Sequence, residues 1–137
     1  MGMVYTEITL KNALDVGDRE RGYMKEQEVR QTTVRAVVDT GALTLVINEN
    51  LCQQLGLGLR GTRQATLANN KKETVKVAGP VEVHWKNRRM ICEPWVISDS
   101  GKVFLGAIPL EHMDLIVDPA NEVLVGRHGE EEVGYLY

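Results

Sequence analysis

Val34-Arg35-Ala36-Val37-Val38-Asp39-Thr40-Gly41-Ala42-Leu43-Thr44-Leu45-Val46-Ile47 is a mostly apolar run broken at its centre by Asp-Thr-Gly. A carboxylate is costly in a dry interior unless it is paired or hydrogen-bonded. A strand that ends on such a group therefore gives it a task. Thr40 adds a hydroxyl that can donate or accept. Gly41 allows a tight turn or the close approach of a ligand or a second chain. The tripeptide alone is weak, because Asp and Gly are ordinary turn formers. Hydrophobic flanks on both sides are unusual for a solvent-exposed turn and favour a functional reading. They place the Asp39 carboxylate on a rigid floor between two apolar strands.

Outward from this centre the chain reads as short strands. Residues 3–10 are rich in β-formers and predict a first strand. Lys11 to Gln31 is charged, interrupted by Gly17 and Gly22, and predicts a solvated loop, with Tyr23 and Met24 available for contacts. A second strand starts near Glu28 and runs into Asp39. Asn48 to Gly56 predicts a short helix, with Asn48 as cap, Leu51 and Leu55 on one face, and Gly56 at the end. Gly58 and Gly61 predict a loop. Residues 65–79 form a hairpin with a polar tip at Asn69-Asn70-Lys71-Lys72.

A second hairpin puts Val81, Val83 and Trp85 on one face and Glu82 and His84 on the other, and turns near Lys86-Asn87. It returns from Arg89 to Ile97, irregular at Pro94. Trp85 and Trp95 read as packing residues. Lys102 to Ile108 is followed by a helix from Pro109 to Asp114, and then by a hairpin turning at Asp118-Pro119-Ala120-Asn121. The acidic tail from His128 to Tyr137 is expected to be loosely ordered. Many short strands and two small helices predict an all-β architecture.

Composition narrows the function. The 137 residues suit one domain spanning 1–137. A net charge of −3 and 5% aromatic residues argue against nucleic-acid binding. No apolar run approaches a bilayer-spanning length, and the N-terminus lacks a signal-peptide pattern, so a cytoplasmic, non-membrane protein is expected. Met1-Gly2 with Thr6 matches an acylation pattern, but the segment reads as strand. Cys52 and Cys92 fit buried thiols in a reducing compartment rather than a disulfide, and neither has a neighbouring base for thiol catalysis. His84, His112 and His128 lack zinc spacing, and no phosphate loop is present. No metal or cofactor is expected.

Two separated signals coincide: Asp39-Thr40-Gly41-Ala42, and later Val103-Phe104-Leu105-Gly106 followed by a short helix and a terminal strand, with a polar-tipped hairpin between them. This order resembles the retroviral-type (retropepsin-like) aspartic proteases, particularly the stand-alone bacterial single-domain members, over roughly Val34 to Val125. The resemblance implies a retropepsin-like closed β-barrel. Asp39 would be its catalytic carboxylate, supported by Thr40, Gly41 and Ala42. The hairpin from about Leu67 to Val75 would be a flap, with substrate contacts at Leu67, Ala68, Asn69 and Asn70 and at Ile108. Leu105 and Gly106 would lie behind the site.

Retroviral members typically carry an Asp after Asp-Thr-Gly-Ala and an Arg after the later Gly, which pair. Leu43 and Ala107 stand there instead. Losing both halves together, as when an apolar contact replaces the pair, avoids a lone buried charge. Only one Asp-Thr-Gly is present; Asp99, Asp114 and Asp118 lack the Thr-Gly. The chemistry needs two carboxylates, so a symmetric homodimer acting on a peptide or protein substrate is expected. A catalytically silent peptide-binding or dimerisation module is the alternative.

Overall fold

The protein is described by a computed structural model covering residues 2–98, 101–134 and 136. Strand β1 (Val4–Asn12) buries Val4, Ile8 and Leu10 at alternating positions, the period-two pattern of a half-buried strand. It pairs antiparallel with β2 (Gln31–Val38), from Val4 opposite Val38 to Lys11 opposite Gln31. β2 delivers the chain to Asp39.

The connection between them is not the solvated loop that its polarity suggests. β1 runs on to Asn12 and passes into helix α1 (Ala13–Glu20), with a 3₁₀ turn at Glu26–Glu28. Asn12 caps α1 by accepting hydrogen bonds from the Leu14 and Asp15 amides at 3.0 and 3.1 Å. Its own amide group donates to the Leu55 carbonyl at 2.9 Å. Asp15 is buried, and Arg30 reaches back to it with Nε at 2.8 Å and Nη2 at 3.0 Å. The pairing partner is remote in sequence, so local polarity misreads this segment.

The hydrogen-bonded Arg30 guanidinium holds the Asp15 carboxyl below the usual carboxylate range. The unfolded chain therefore binds a proton more readily than the folded one. The stabilisation is complete above the ordinary carboxylate pKa and is lost as pH falls through the lowered value. Asp15→Asn is expected to cost about 2 kcal/mol near neutral pH, less than a fully buried pair because the Arg30 side chain is half exposed. Denaturant melts of both forms at neutral and strongly acidic pH should converge at the acidic end.

Strand β3 (Val46–Asn48) leads into helix α2 (Glu49–Gln54), where Asn48 accepts the Leu51 amide at 2.7 Å. Leu51 and Leu55 are buried, and Gly56 takes the left-handed conformation at φ 64°. β4 then begins at Gly58 (Gly58–Thr66), where a loop was predicted, and absorbs its glycines in a register shift between Leu59 and Gly61. It pairs with β5 (Lys72–Gly79). The hairpin tip is closed by the Leu67 amide on the Lys71 carbonyl at 2.8 Å, with Asn70 at φ 63°.

β6 (Val81–Trp85) and β7 (Arg88–Cys92) form the next hairpin, with Lys86 at φ 47° in its turn. Val81, Val83 and Trp85 are buried as expected, and Trp85 donates its indole N–H to Thr6 Oγ1 at 2.8 Å. Glu82 on the other face is buried too, held to His84 Nε2 at 2.6 Å. The predicted return strand divides at Pro94, which has no amide hydrogen for a ladder. Its second part, β8 (Trp95–Ile97), pairs with β3 and β5 instead.

β9 (Val103–Leu105) lies parallel to β2. Helix α3 (Ala107–His112) starts two residues earlier than its proline suggests. β10 (Leu115–Asp118) and β11 (Val123–Gly126) make the last hairpin, whose turn is closed by Asp118 accepting the Ala120 amide at 3.0 Å. Three α-helices are present among the described residues rather than two.

The architecture is all-β. Nine strands form one curled sheet in the order β4-β5-β8-β3-β9-β2-β1-β6-β7, and β10–β11 form a second, smaller sheet. Its end strands β4 and β7 do not pair with each other among the described residues, so the curl is a half-barrel rather than a closed one. Ile8, Leu10, Leu45, Ile47, Leu105 and Met113 fill the core. No helix is long and apolar enough to cross a membrane among the described residues.

The tail is tied down as far as Val133, contrary to the loosely ordered end expected from its acidity. Arg88 is 1% exposed. Its guanidinium donates to the carbonyls of Met113, Asp114, Gly129 and Glu131 at 2.7 to 3.0 Å. A buried guanidinium needs such acceptors, and the tail supplies two of them. The Asp114 carboxylate adds bonds to His128 Nδ1 at 2.7 Å and to the Val133 amide at 3.0 Å. Tyr135, Tyr137 and Asp99 lie outside the described residues.

Candidate active site

β2 and β9 run side by side and end together, and the Asp39 amide donates to the Leu105 carbonyl at 3.0 Å. The chain then turns. Gly41 donates its amide to Asp39 Oδ1 at 2.9 Å, and Ala42 donates to the Asp39 carbonyl at 3.1 Å. The carboxylate is thus fixed by its own loop. It is half-buried in the single chain, and Thr40 beside it is exposed, with no side-chain hydrogen bond among the described residues.

Leu105 and Gly106 are buried behind this loop. Ala107 donates to the Ala42 carbonyl at 2.8 Å and Ile108 to the Leu43 carbonyl at 2.9 Å. A Cβ on Gly106 would meet the Thr44 carbonyl oxygen, the Ala42 oxygen at 2.6 Å and the Thr44 nitrogen at 2.8 Å. The Leu43 and Ala107 segments are therefore joined through main-chain bonds. The side chains of Leu43 and Ile108 are 45% and 47% exposed, which leaves apolar groups at the edge of the Asp39 loop.

Asp39, Gly41 and Ala42 form the floor of a cleft of about 510 Å³. Val46, Trp95, Ile97 and Phe104 wall it, and Ala65, Thr66, Leu67, Ala68, Glu73 and Val75 of the β4–β5 hairpin roof it. Of the residues singled out from sequence, Asp39, Gly41, Ala42, Leu67 and Ala68 meet here. Thr40, Asn69, Asn70 and Ile108 do not line the cleft, and Leu105 and Gly106 stand behind it. Trp95 and Phe104 went unrecognised as lining residues. The sequence marks Trp95 only as a packing residue, and both come from three-residue strands whose neighbours are distant in sequence. Glu73 and Val75 fall inside the predicted hairpin, and strand alternation alone would have put them on one face.

Other nucleophiles are poorly placed. Cys52 and Cys92 are free and half-buried. Burial pushes the Cys92 thiol up to about 12 and raises that of Cys52, so both stay protonated near neutral pH. His84 and His128 are engaged by Glu82 and Asp114, away from the cleft, and His112 is exposed at the end of α3.

Comparison with known proteins agrees with this geometry. The retroviral protease-like domain of Ddi1 from Leishmania major superposes with a TM-score of 0.58 at 16% identity, covering 100% of this chain and 96% of that one. The EIAV protease complexed with the inhibitor HBY-793 superposes with a TM-score of 0.50 at 20% identity, covering 80% of this chain and 86% of that one. At these identities the likeness speaks for the fold alone. No curated protein matches the sequence. The family profile described as aspartyl protease matches residues 26–126, which span the Asp39 loop, the hairpin roof and the Gly106 segment. The chain therefore belongs to the aspartyl protease family, with a retropepsin-like fold.

Proposed function

We propose that the protein is a homodimeric aspartic endopeptidase in which two copies of Asp39, one per chain, activate the attacking water. The observation that carries this reading is the half-buried Asp39 carboxylate, anchored by the Gly41 amide on the floor of a cleft roofed by a hairpin. One chain offers one Asp-Thr-Gly, and a twofold axis beside the Asp39 loop supplies the second.

The chemistry uses one charged and one protonated carboxyl, so the two copies hold one proton between them. The ionised member takes a proton from water as its oxygen attacks the scissile carbonyl carbon. The protonated member donates to the carbonyl oxygen as the tetrahedral centre forms. Collapse breaks the C–N bond: the proton removed from water passes to the leaving amine, and a diol hydroxyl returns its proton to the other carboxylate as the carbonyl re-forms, restoring the pair. The β4–β5 hairpin excludes water and holds the peptide by strand-like backbone contacts. Such a pair needs one charged and one neutral member, so activity is expected to be bell-shaped in pH and best on the acid side of neutral.

The apolar edge formed by Leu43 and Ile108 suits the contact between copies. Leu43→Glu is expected to weaken self-association at least about tenfold, since it buries a charge in an apolar contact. Sedimentation at several concentrations, with specific activity measured at each, tests both points. Activity should fall with dissociation on dilution. A monomer with full specific activity would overturn the reading.

A further inference from the structure

We propose that Glu73 makes the cleft selective for a peptide carrying a basic side chain, lysine or arginine, at the position beneath the hairpin. The proposal rests on the peptidase reading for its occupant. Apart from Asp39, which that reading commits to the chemistry, Glu73 is the one charged residue among the described residues lining a cleft otherwise dominated by apolar groups.

Its placement follows from the ladder. Strand alternation puts Glu73 and Val75 on the cleft face of β5 and Thr74 and Lys76 on the opposite face. The outward residues are already engaged. Thr74 accepts a hydrogen bond from Gln64 at 2.8 Å, and Lys76 pairs with Glu49 at 3.0 Å. Glu73 forms no ion pair or side-chain hydrogen bond among the described residues, and its cross-strand neighbour is the small, apolar Ala65.

The cations that alternation places on the same face of the hairpin are Lys71, two residues before Glu73, and Arg63, opposite Val75, whose guanidinium lies over the Trp95 ring at 5.6 Å; neither forms an ion pair with Glu73. The exposed Glu73 carboxylate at the roof of an apolar cleft draws field lines into it, and no cation among the described residues lies within ion-pair distance of it. A lysine or arginine side chain supplies that charge, and its methylene stem lies along apolar lining such as Leu67 and Phe104.

The test compares, within each variant, peptides that differ only in carrying lysine, norleucine or glutamate at each position. Cleavage is read with wild type, Glu73→Gln and Glu73→Lys, and equilibrium binding is read with the same substitutions placed on Asp39→Asn. One position should favour lysine about tenfold in the parent protein. The ratio should fall to about one in Glu73→Gln and invert toward a glutamate peptide in Glu73→Lys.

No lysine preference, or a preference that survives Glu73→Gln, overturns the proposal. So does weaker self-association of Glu73→Gln with an unchanged ratio, because Glu73 would then pair with a cation of the second copy. If no peptide is cleaved but the binding ratio shifts as stated, the peptidase reading fails and the Glu73 assignment stands. If no peptide binds at all, both fall.

Discussion

Asp39→Asn is expected to lower peptide hydrolysis by at least about a thousandfold while leaving the fold intact. Asn is nearly isosteric with Asp, and its side-chain carbonyl oxygen can still accept the Gly41 amide that Asp39 Oδ1 accepts at 2.9 Å. The loop thus keeps its anchor, and the melting temperature should change little. An amide cannot take a proton from water, however, and a dimer carrying the substitution in both chains has no base left. Melting temperature, self-association and cleavage of an unbiased peptide library, measured side by side, separate the readings. Equal cleavage by a pure variant would sink the assignment of Asp39. Peptide binding without turnover in wild type and variant alike would favour a binding module.

The Asp39 floor was legible because its signal is local. Hydrophobic flanks, a three-residue turn and strand alternation all lie within one stretch of chain. The same holds for α2, whose cap at Asn48 and buried pair Leu51 and Leu55 are close neighbours in sequence. The tip at Asn70 and the turn at Asp118 were legible for their turn chemistry.

What escaped the sequence depends on partners far along the chain. α1 sits between two strands because Asp15 finds Arg30 and Asn12 finds Leu55, and neither pairing leaves a periodic trace. The ordered tail depends on Arg88 gathering carbonyls from Met113 to Glu131. The cleft walls were hidden for the same reason. Trp95 and Phe104 meet only once β3 has taken β8 on one side and β9 on the other. Pro94 announced a break in the return strand, but not that the strand beyond it changes partners.

Gly106→Ala is expected to destabilise the protein by about 3 kcal/mol or more and to abolish activity in any fraction that still folds. The reason is space, not backbone conformation. Gly106 sits at φ −93° and ψ −172°, which any residue adopts. Its missing side chain, however, leaves room for the Ala42 oxygen and the Thr44 nitrogen, 2.6 and 2.8 Å from where a Cβ would stand. Both are main-chain atoms of the Asp39 loop, and Ala42 is held there by the Ala107 amide at 2.8 Å. The neighbour cannot swing away as a flexible side chain would. It must move as a loop, and Asp39 moves with it.

Gly17→Ala is the matched control. A Cβ at Gly17 meets nothing within 4 Å, and the residue lies inside α1. Alanine there should stabilise by about 0.5–1 kcal/mol through the unfolded chain and helix propensity. Denaturant unfolding of both variants therefore gives opposite signs for the same chemical change. A Gly106→Ala protein within a few tenths of a kcal/mol of wild type would mean that the segment behind Asp39 is loosely held. The rigid floor that the proposed chemistry requires would then be absent.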